Sequence, residues 1–581
     1  MDKKTRWYKE AIIYQIYPFS FMDGNNDGMG DIEGIIQKLD YLKNLGITAI
    51  WFSPLYDSPN KDYGYDIRDY RKIAEAFGTM DDFKTLLDEC HKREIKVIMD
   101  MVVNHTSNEH EWFKKAMKDE NSPYRDYYII RKGIKKGNKL LPPNNWKSTF
   151  TGSAWERIKD TDEFYLHLFT IEQPDLNWEN EKVREEIIDI LNFYLSMGVD
   201  GFRFDVFNLF SKVDGLPSDK RLFAFPKGGN YYIDGPRIHE FLHELNTKAL
   251  SLYDSMSVGE SMMPSEEDAM RYVDESSEEL DTLFNFAHLT SDNLFGLKYL
   301  KKKFNLKEFK KGFFEPQEKY FKNGWNTLVV ENHDNPRCIS RFGIDTNNFR
   351  YEAATFIPTI LYMGFGTPYI YEGQEFGMIN NEFSSLDELM DPVSHFIYNI
   401  AKKIPSSKKW KLNTVLYGAR DHARVPVSWD DSVNGGFNTG ATPWMKVSTT
   451  YKEINAKSDL ESEKSIYKYY QRIIEIKKTN KTIIYGKTQE YSHNNKKVIA
   501  YTRTLNDSKY FIVGNFSNKC TTYKVPDDLL NLNKVISNYD DTNYLDGTIS
   551  FRPYEAILFE VRKWKKNTAM VPLFIELKKV E

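Results

Sequence analysis

The chain has 581 residues, more than one hydrophobic core ordinarily organises, so a large domain with smaller attachments, or several comparable domains, is expected. Its 79 Lys and Arg stand against 84 Asp and Glu, and this net charge of -5, with both signs spread along the chain, gives no electrostatic footprint for nucleic acid or an anionic membrane. Only three cysteines occur, Cys90, Cys338 and Cys520, without metal-type spacing or a disulfide framework, which points to a reducing compartment.

The N-terminal MDKKTRWYKE leads into an apolar segment too short and too tyrosine-rich for a signal peptide, so cytoplasmic residence is expected. Short apolar or β-branched runs then recur, each followed by a Gly, Pro or Asn-rich loop and a longer helical pattern. They are IIYQIYP (12–18), AIWFSP (49–54), KVIMDMV (96–102), GFRFDV (201–206), SMSVGE (255–260), DTLFNF (281–286), TLVVENHD (327–334) and TPYIYEGQE (367–375). Eight β/α units predict an α/β fold, a TIM (β/α)8 barrel with its active site at the C-terminal strand ends.

After the first strand, Asp23, Asn25, Asp27, Met29 and Asp31 space oxygen ligands like the start of a calcium loop, although Gly34 stands where an EF-hand needs Glu. A metal-free turn held by Asx hydrogen bonds is the alternative. Thr79 followed by Asp81 and Asp82 predicts a capped helix start. The gap after the third strand is too long for a plain connection, so 105–174 is an inserted subdomain, with RKGIKKGNK as a hairpin signal; the barrel then comprises 1–104 and 175–481. The uncharged stretch Ala353 to Tyr371 is interrupted by Pro and Gly and reads as a buried helix followed by a strand, not a membrane span. Alternating runs from Thr482 (TIIYGK, VIAYTR, YFIVGNF, AILFEV) predict a C-terminal antiparallel β-sandwich over 482–563, and 564–581 is an appendage.

Acids and their partners gather at predicted strand ends: Asp100 with Asn104 and His105, Arg203 with Asp205, Glu260, and His333 with Asp334. A lone carboxylate in a strand is ordinarily structural, but a barrel turns all these ends into one cleft, where several unpaired ions would cost roughly several kcal/mol each in desolvation. In QIYPFSFMDGNNDGMGDIEGI, DMVVNH, QPDLNWEN, GFRFDV, VGE, ENHDNPR and RDHARVPVSWDD the sequence resembles the α-amylase superfamily, glycoside hydrolase family 13, nearest its oligo-1,6-glucosidase and α-glucosidase branch.

The resemblance implies a retaining, exo-acting α-glucosidase with Asp205 as nucleophile, Glu260 as acid/base and Asp334 as the third acid. Arg203 would keep Asp205 ionised, and Glu260 is expected in a less solvated place beside other acids. Tyr65, Asp66, His105, Arg203, His333 and Arg424 would surround the first glucose, with Asp66 and Arg424 on hydroxyls at the closed end; Phe150 and Phe169 match aromatic positions of the pocket. One structural Ca²⁺ or Mg²⁺ in the 23–31 loop, with the Met29 carbonyl as a ligand, is also implied; none is needed for chemistry. Val206 after the nucleophile accompanies α-1,6 preference in this branch, while Phe19 and Ala287 stand where Arg and an acid are frequent. Sucrose isomerase and trehalose-6-phosphate hydrolase share the catalytic set and compete. A non-catalytic transporter subunit or binding protein is disfavoured by the three retained acids. The expected partner is a small oligosaccharide, with no nucleic acid, no membrane, and a monomeric or weakly oligomeric chain.

Overall fold

The computed structural model describes residues 6–150, 152–294, 297–342 and 348–562; the appendage lies outside the described residues. Eight parallel strands form one sheet: β1 (Ile13–Ile16), β2 (Ala49–Phe52), β3 (Lys96–Met101), β4 (Gly201–Phe204), β5 (Met256–Gly259), β6 (Thr282–Leu283), β7 (Thr327–Leu328) and β8 (Thr367–Tyr371). Their spatial order is β6-β5-β4-β3-β2-β1-β8-β7. These strands are buried on both faces, which is why they read as continuous apolar runs. DTLFNF and TLVVENHD contribute only two strand residues each, and the ladder is interrupted between β6 and β7. There the Thr327 hydroxyl closes the ring, donating to the Leu283 carbonyl (3.0 Å) and accepting from the Asn285 N–H (3.1 Å).

Helices cover the outside: α1 (Leu39–Leu45), α2 (Met80–Lys92), α3 (Glu181–Met197), α4 (Ile238–Lys248), α5 (Glu266–Val273), α6 (Leu306–Tyr320), α7 (Arg350–Leu361) and α8 (Ile466–Thr479). The α2 start is a reciprocal capping box between Thr79 and Asp82, worth about 1 kcal/mol. In α8, Ile466, Tyr469, Tyr470, Ile473, Ile474 and Lys477 form the buried stripe expected of a helix on a barrel. The Ala353 to Tyr371 stretch is the buried body of α7 followed by β8, and among the described residues no helix is long and apolar enough to cross a membrane.

Between β3 and α3, strands Ile130–Lys132, Trp155–Arg157 and Glu163–Leu166 form a small antiparallel sheet, and RKGIKKGNK folds as the hairpin Ile134–Lys136 with Lys139–Leu141. Its separate core unites Trp146, Trp155, Phe164 and Leu166 with Leu209 and Tyr232 from the segment after β4. Lys212 ties the two by pairing with Asp175 (2.9 Å) and donating to Asn104 Oδ1 (3.3 Å).

At the C-terminus a five-stranded antiparallel sheet packs against a three-stranded one. Along Val498–Leu505, Val498 and Ala500 enter the sandwich core while Ile499 and Tyr501 enter the barrel's, the period of two turned to two cores. The sheet begins at Lys487, not at Thr482. Residues Lys481–Tyr485 are a helix instead, because the Asn480 side chain caps it by accepting from the Thr482 and Ile483 N–H groups.

Thr327→Val removes the stitch between β6 and β7 and leaves a buried carbonyl and N–H without it. The expected loss is about 1–3 kcal/mol of stability, read from the urea midpoint, with the strand-end chemistry retained.

Candidate active site

Arg203 and Asp205 are two residues apart and so project from one face of β4 into the barrel's C-terminal mouth. Arg203 is in register with Asp100 on β3, and Phe204 with Gly259 on β5, so Asp205 and Glu260 leave neighbouring strands side by side. Adjacent strands lie about 4.8 Å apart. The Arg203 guanidinium, 1% exposed, uses Nη1 for Asp100 (2.6 Å) and Asp205 (2.8 Å), and Nη2 for Glu260. The rings of Trp51 and Tyr65 lie 5.4 and 5.7 Å away. Burial works against the Arg203 charge, but Asp100, Tyr65 and Asp205 outweigh it and raise its pKa. Burial pushes the Asp100 carboxyl up to about 7 against the pull of Arg203.

Beside this cluster His333 is stacked between Tyr65 and Tyr17, at centroid distances of 5.4 and 6.0 Å. The Gln15 amide reaches Nδ1 (2.7 Å), and Nε2 faces the Tyr65 hydroxyl (2.8 Å), which in turn donates to Asp100 (3.1 Å). This chain assigns the proton to Nε2. Burial lowers the His333 pKa to about 3, so the ring is neutral across the physiological range.

The opposite wall comes from the β7 end and the RDHAR segment. Asp334 pairs with Arg424 (3.0 Å) and Arg420 (3.2 Å), and Arg420 also reaches Asp62 (3.2 Å) and Asp391 (2.6 Å). Burial alone would raise the Asp334 carboxyl, but the Arg420 and Arg424 guanidiniums, with the neutral His333 Nε2 3.3 Å away, outweigh it and hold it well below the ordinary carboxylate range.

A cavity of about 1220 Å³ opens here, lined by Asp62, Tyr65, His105, Asp205, Glu260, His333, Asp334 and Arg420, with Phe150, Phe169 and Val206. The structure brings the three acids together with these predicted partners and corrects three expectations. Asp66 does not line the cavity: its carboxylate accepts from the Ser58 hydroxyl and the Lys61 and Asp62 N–H groups (each 3.0 Å), and burial raises it to about 6. Asp62, four residues earlier in the same turn, faces the cavity in its place. Arg424 stands behind Asp334, its Nε donating to the His333 carbonyl (3.0 Å), whereas Arg420 faces the space. Glu260 sits beside Asp205, as expected, but it lies against the Arg203 cation with its side chain 19% exposed, because β5 ends beside β4.

Phe150 and Phe169 meet edge to face at 5.4 Å, and Phe169 packs on His105, whose Nε2 donates to the Tyr65 carbonyl (3.0 Å). Val206 adopts φ 36°, ψ 39°, a left-handed conformation that costs a β-branched residue about 1–3 kcal/mol and belongs to the sharp turn that re-aims the chain after Asp205. Phe19 packs with Tyr63, Phe77 and Trp444 and is absent from the cavity wall.

The model for the alpha-amylase catalytic domain matches residues 15–486, and that for the alpha-amylase SusG C-terminal domain matches 498–558. The chain belongs to the alpha-amylase family. An oligo-1,6-glucosidase of Parageobacillus thermoglucosidasius is 46% identical over 96% of this chain and 99% of its own. Among solved structures, Bacillus licheniformis trehalose-6-phosphate hydrolase is 42% identical with a TM-score of 0.91, covering 96% of this chain and 100% of its own. The isomaltulose synthase of Protaminobacter rubrum is 38% identical with a TM-score of 0.92, covering 97% and 100%.

In this alpha-amylase family chain the 23–31 loop turns its acids inward. Asp23 accepts from the Asn26, Asp27 and Gly28 N–H groups, Asp31 from those of Gly24, Asn25 and Gly34, and Asn25 and Asp27 each from the residue two further on. Among the described residues no group of three or more His, Cys, Asp or Glu is arranged to hold a metal. The loop has the bonding of an Asx turn.

A neutral His333 is checkable. Its ring nitrogens, read by ¹⁵N NMR, should show the Nε2-protonated neutral form from pH 8 down to about 4.5. Because the unfolded ring titrates near 6.5 and the folded one near 3, the unfolded state binds the proton first. This group therefore subtracts stability as pH falls from 6.5 toward 3. A ring that charges near pH 6.5 in the native protein would contradict the assignment.

Proposed function

We propose that this chain is a retaining, exo-acting α-glucosidase that releases the terminal glucose of short α-glucosides, with a preference for α-1,6 linkages. The reading is carried by the one guanidinium that holds Asp205 and Glu260 as neighbours across from Asp334. A double displacement needs two carboxyl groups about 5 to 5.5 Å apart, one to attack and one to deliver a proton. Asp205 attacks the anomeric carbon, the C–O bond breaks, and Glu260 gives its proton to the departing oxygen. Glu260 then takes a proton from water as that water displaces Asp205. Asp334, held ionised by its arginines, stabilises the positive charge that develops at the anomeric centre. His333 and Tyr65, both neutral, line the cavity beside the acids and hold one another and Asp100 in place through their own hydrogen bonds. Three carboxyls, their partners and water are the groups these steps use.

Exo action is supported by the pair of Asp62 and Arg420, a charged bridge in the cavity wall of the kind that closes off a pocket. The α-1,6 preference rests on Val206 and on the oligo-1,6-glucosidase relative. Cytoplasmic residence is part of the proposal and is supported by three free cysteines, of which Cys90 and Cys338 are buried.

The test is a panel of isomaltose, maltose, sucrose and trehalose 6-phosphate with products identified. Isomaltose should have the largest kcat/KM, and ¹H NMR should show α-glucose as the first product. Asp205→Asn should lose at least ~10³-fold in kcat, equivalent to about 4 kcal/mol of barrier. Val206→Thr should raise the maltose to isomaltose ratio. Isomaltulose as the main product from sucrose, or β-glucose as the first product, would overturn the reading.

A further inference from the structure

The inserted subdomain carries a charge that the whole-chain average hides. Between Asp126 and Glu156 the sequence has six Lys or Arg and no acid, in a chain of net charge -5. Five of them, Arg131, Lys132, Lys135, Lys136 and Lys139, lie on or beside the hairpin Ile134–Lys136 with Lys139–Leu141, a two-stranded sheet of its own. Glu163 faces Lys132 across the neighbouring ladder but pairs with Arg125. The register sets Ile134 opposite Leu141 and Lys136 opposite Lys139. Residues two apart share a face, so one face of the hairpin holds two apolar side chains and two cations. Ile134 and Leu141 are 53% and 39% exposed.

A second element rises beside it. Three residues after Leu141 the chain is stitched to the segment that follows β4. Asn144 donates to the Leu216 carbonyl (2.9 Å), the Trp146 indole to that of Pro217 (2.8 Å), and the Asn145 amide exchanges two bonds with the Asp219 backbone. Residues 219–228 then form a loop closed by the Asp219 carboxylate, which accepts from Arg221 (2.7 Å) and from the Gly228 N–H (2.9 Å). At its tip Leu222 is 84% and Phe223 92% exposed, next to the exposed Lys220. Phe225 of the same loop lines the catalytic cavity, and Leu222 and Phe223 do not. Large apolar side chains held wet on a closed loop, beside a basic hairpin with a wet apolar pair of its own, mark a surface for a partner.

We propose that the hairpin and the 219–228 loop together dock the protein on an anionic lipid surface. The cations lie among acidic headgroups, while Ile134, Leu141, Leu222 and Phe223 enter the acyl boundary beneath them. A folded protein meets such side chains in a shaped, polar-rimmed interface, and a nucleic acid offers phosphates but no apolar phase for aliphatic tips. A bilayer takes both kinds of side chain with no shape to match. The rest of the chain is more acidic than the whole, which turns the other faces away from such a surface and orients the docking. The inference is independent of the glucosidase reading, since it concerns where the protein sits and leaves open what it cleaves.

The test is cosedimentation of the full chain with vesicles of phosphatidylcholine, alone or mixed with phosphatidylglycerol, at low and at high salt. Binding to the mixed vesicles at low salt, its loss at high salt, and no binding to phosphatidylcholine alone is the expected result. Lys136→Gln with Lys139→Gln should weaken partition roughly 30-fold, about fivefold for each cation near an anionic surface. Leu222→Ser with Phe223→Ser should weaken it at least about tenfold. All four positions are exposed, so both variants should melt at the wild-type temperature. The lipid and salt dependence of the wild-type chain tests the proposal without them. Wild-type protein that stays in the supernatant with the mixed vesicles at low salt, or that binds phosphatidylcholine equally well, would overturn it. So would full retention of binding in both variants. Self-association, or capture of duplex DNA, at the same salt with vesicles left unbound would assign the patch to a second copy or to nucleic acid and overturn it as well.

Discussion

A buried guanidinium that must satisfy three carboxylates is the constraint on which the site depends. Arg203 has no water to fall back on, and leaving it or any of its acids unpaired would cost several kcal/mol. Asp100 anchors it from β3, Trp51 and Tyr65 flank it, and the two remaining acids, Asp205 and Glu260, are the ones that face the cavity. The barrel supplies the spacing, because parallel neighbours in register carry Asp205 and Glu260 to adjacent strand ends whatever the surrounding loops do.

Around that cluster the remaining elements divide between fixing and admitting. His333 is locked by Gln15, Tyr65 and two aromatic faces, and Asp334 by two arginines, so the enclosed end is ordered before a sugar arrives. Such preorganisation is what makes electrostatic stabilisation effective. The inserted segment completes the wall with Phe150 and Phe169 and is tied down through Lys212, Asp175 and Asn104. The helices after β8 line the remaining side of the cavity.

Much of this was legible in the sequence. Doubly buried strands read as apolar runs, and eight of them alternating with helices admit few architectures; the hairpin in RKGIKKGNK and the Thr79 cap are local signals that act locally. The acids were found because strand ends of a barrel converge. What failed was finer than a residue type. In KDYGYD both Asp62 and Asp66 are plausible, and only the turn geometry, which spends Asp66 on its own backbone, sends Asp62 to the cavity. Arg420 and Arg424 lie one helical turn apart, so which one faces the sugar depends on packing against His333. Gln15 carried no signal beyond being polar in an apolar strand. TIIYGK has strand composition but follows Asn480, whose cap starts a helix.

The central claim is that Asp205 bonds to the anomeric carbon while Glu260 handles the proton. Incubation with a fluorinated α-glucosyl fluoride that slows the second step, followed by peptide mass mapping, reads it directly. One glucosyl label on the peptide carrying Asp205, absent in Asp205→Asn and persistent in Glu260→Gln, is the predicted result. Turnover of the wild-type chain with the label on another acid, or with none accumulating under burst conditions, would contradict it.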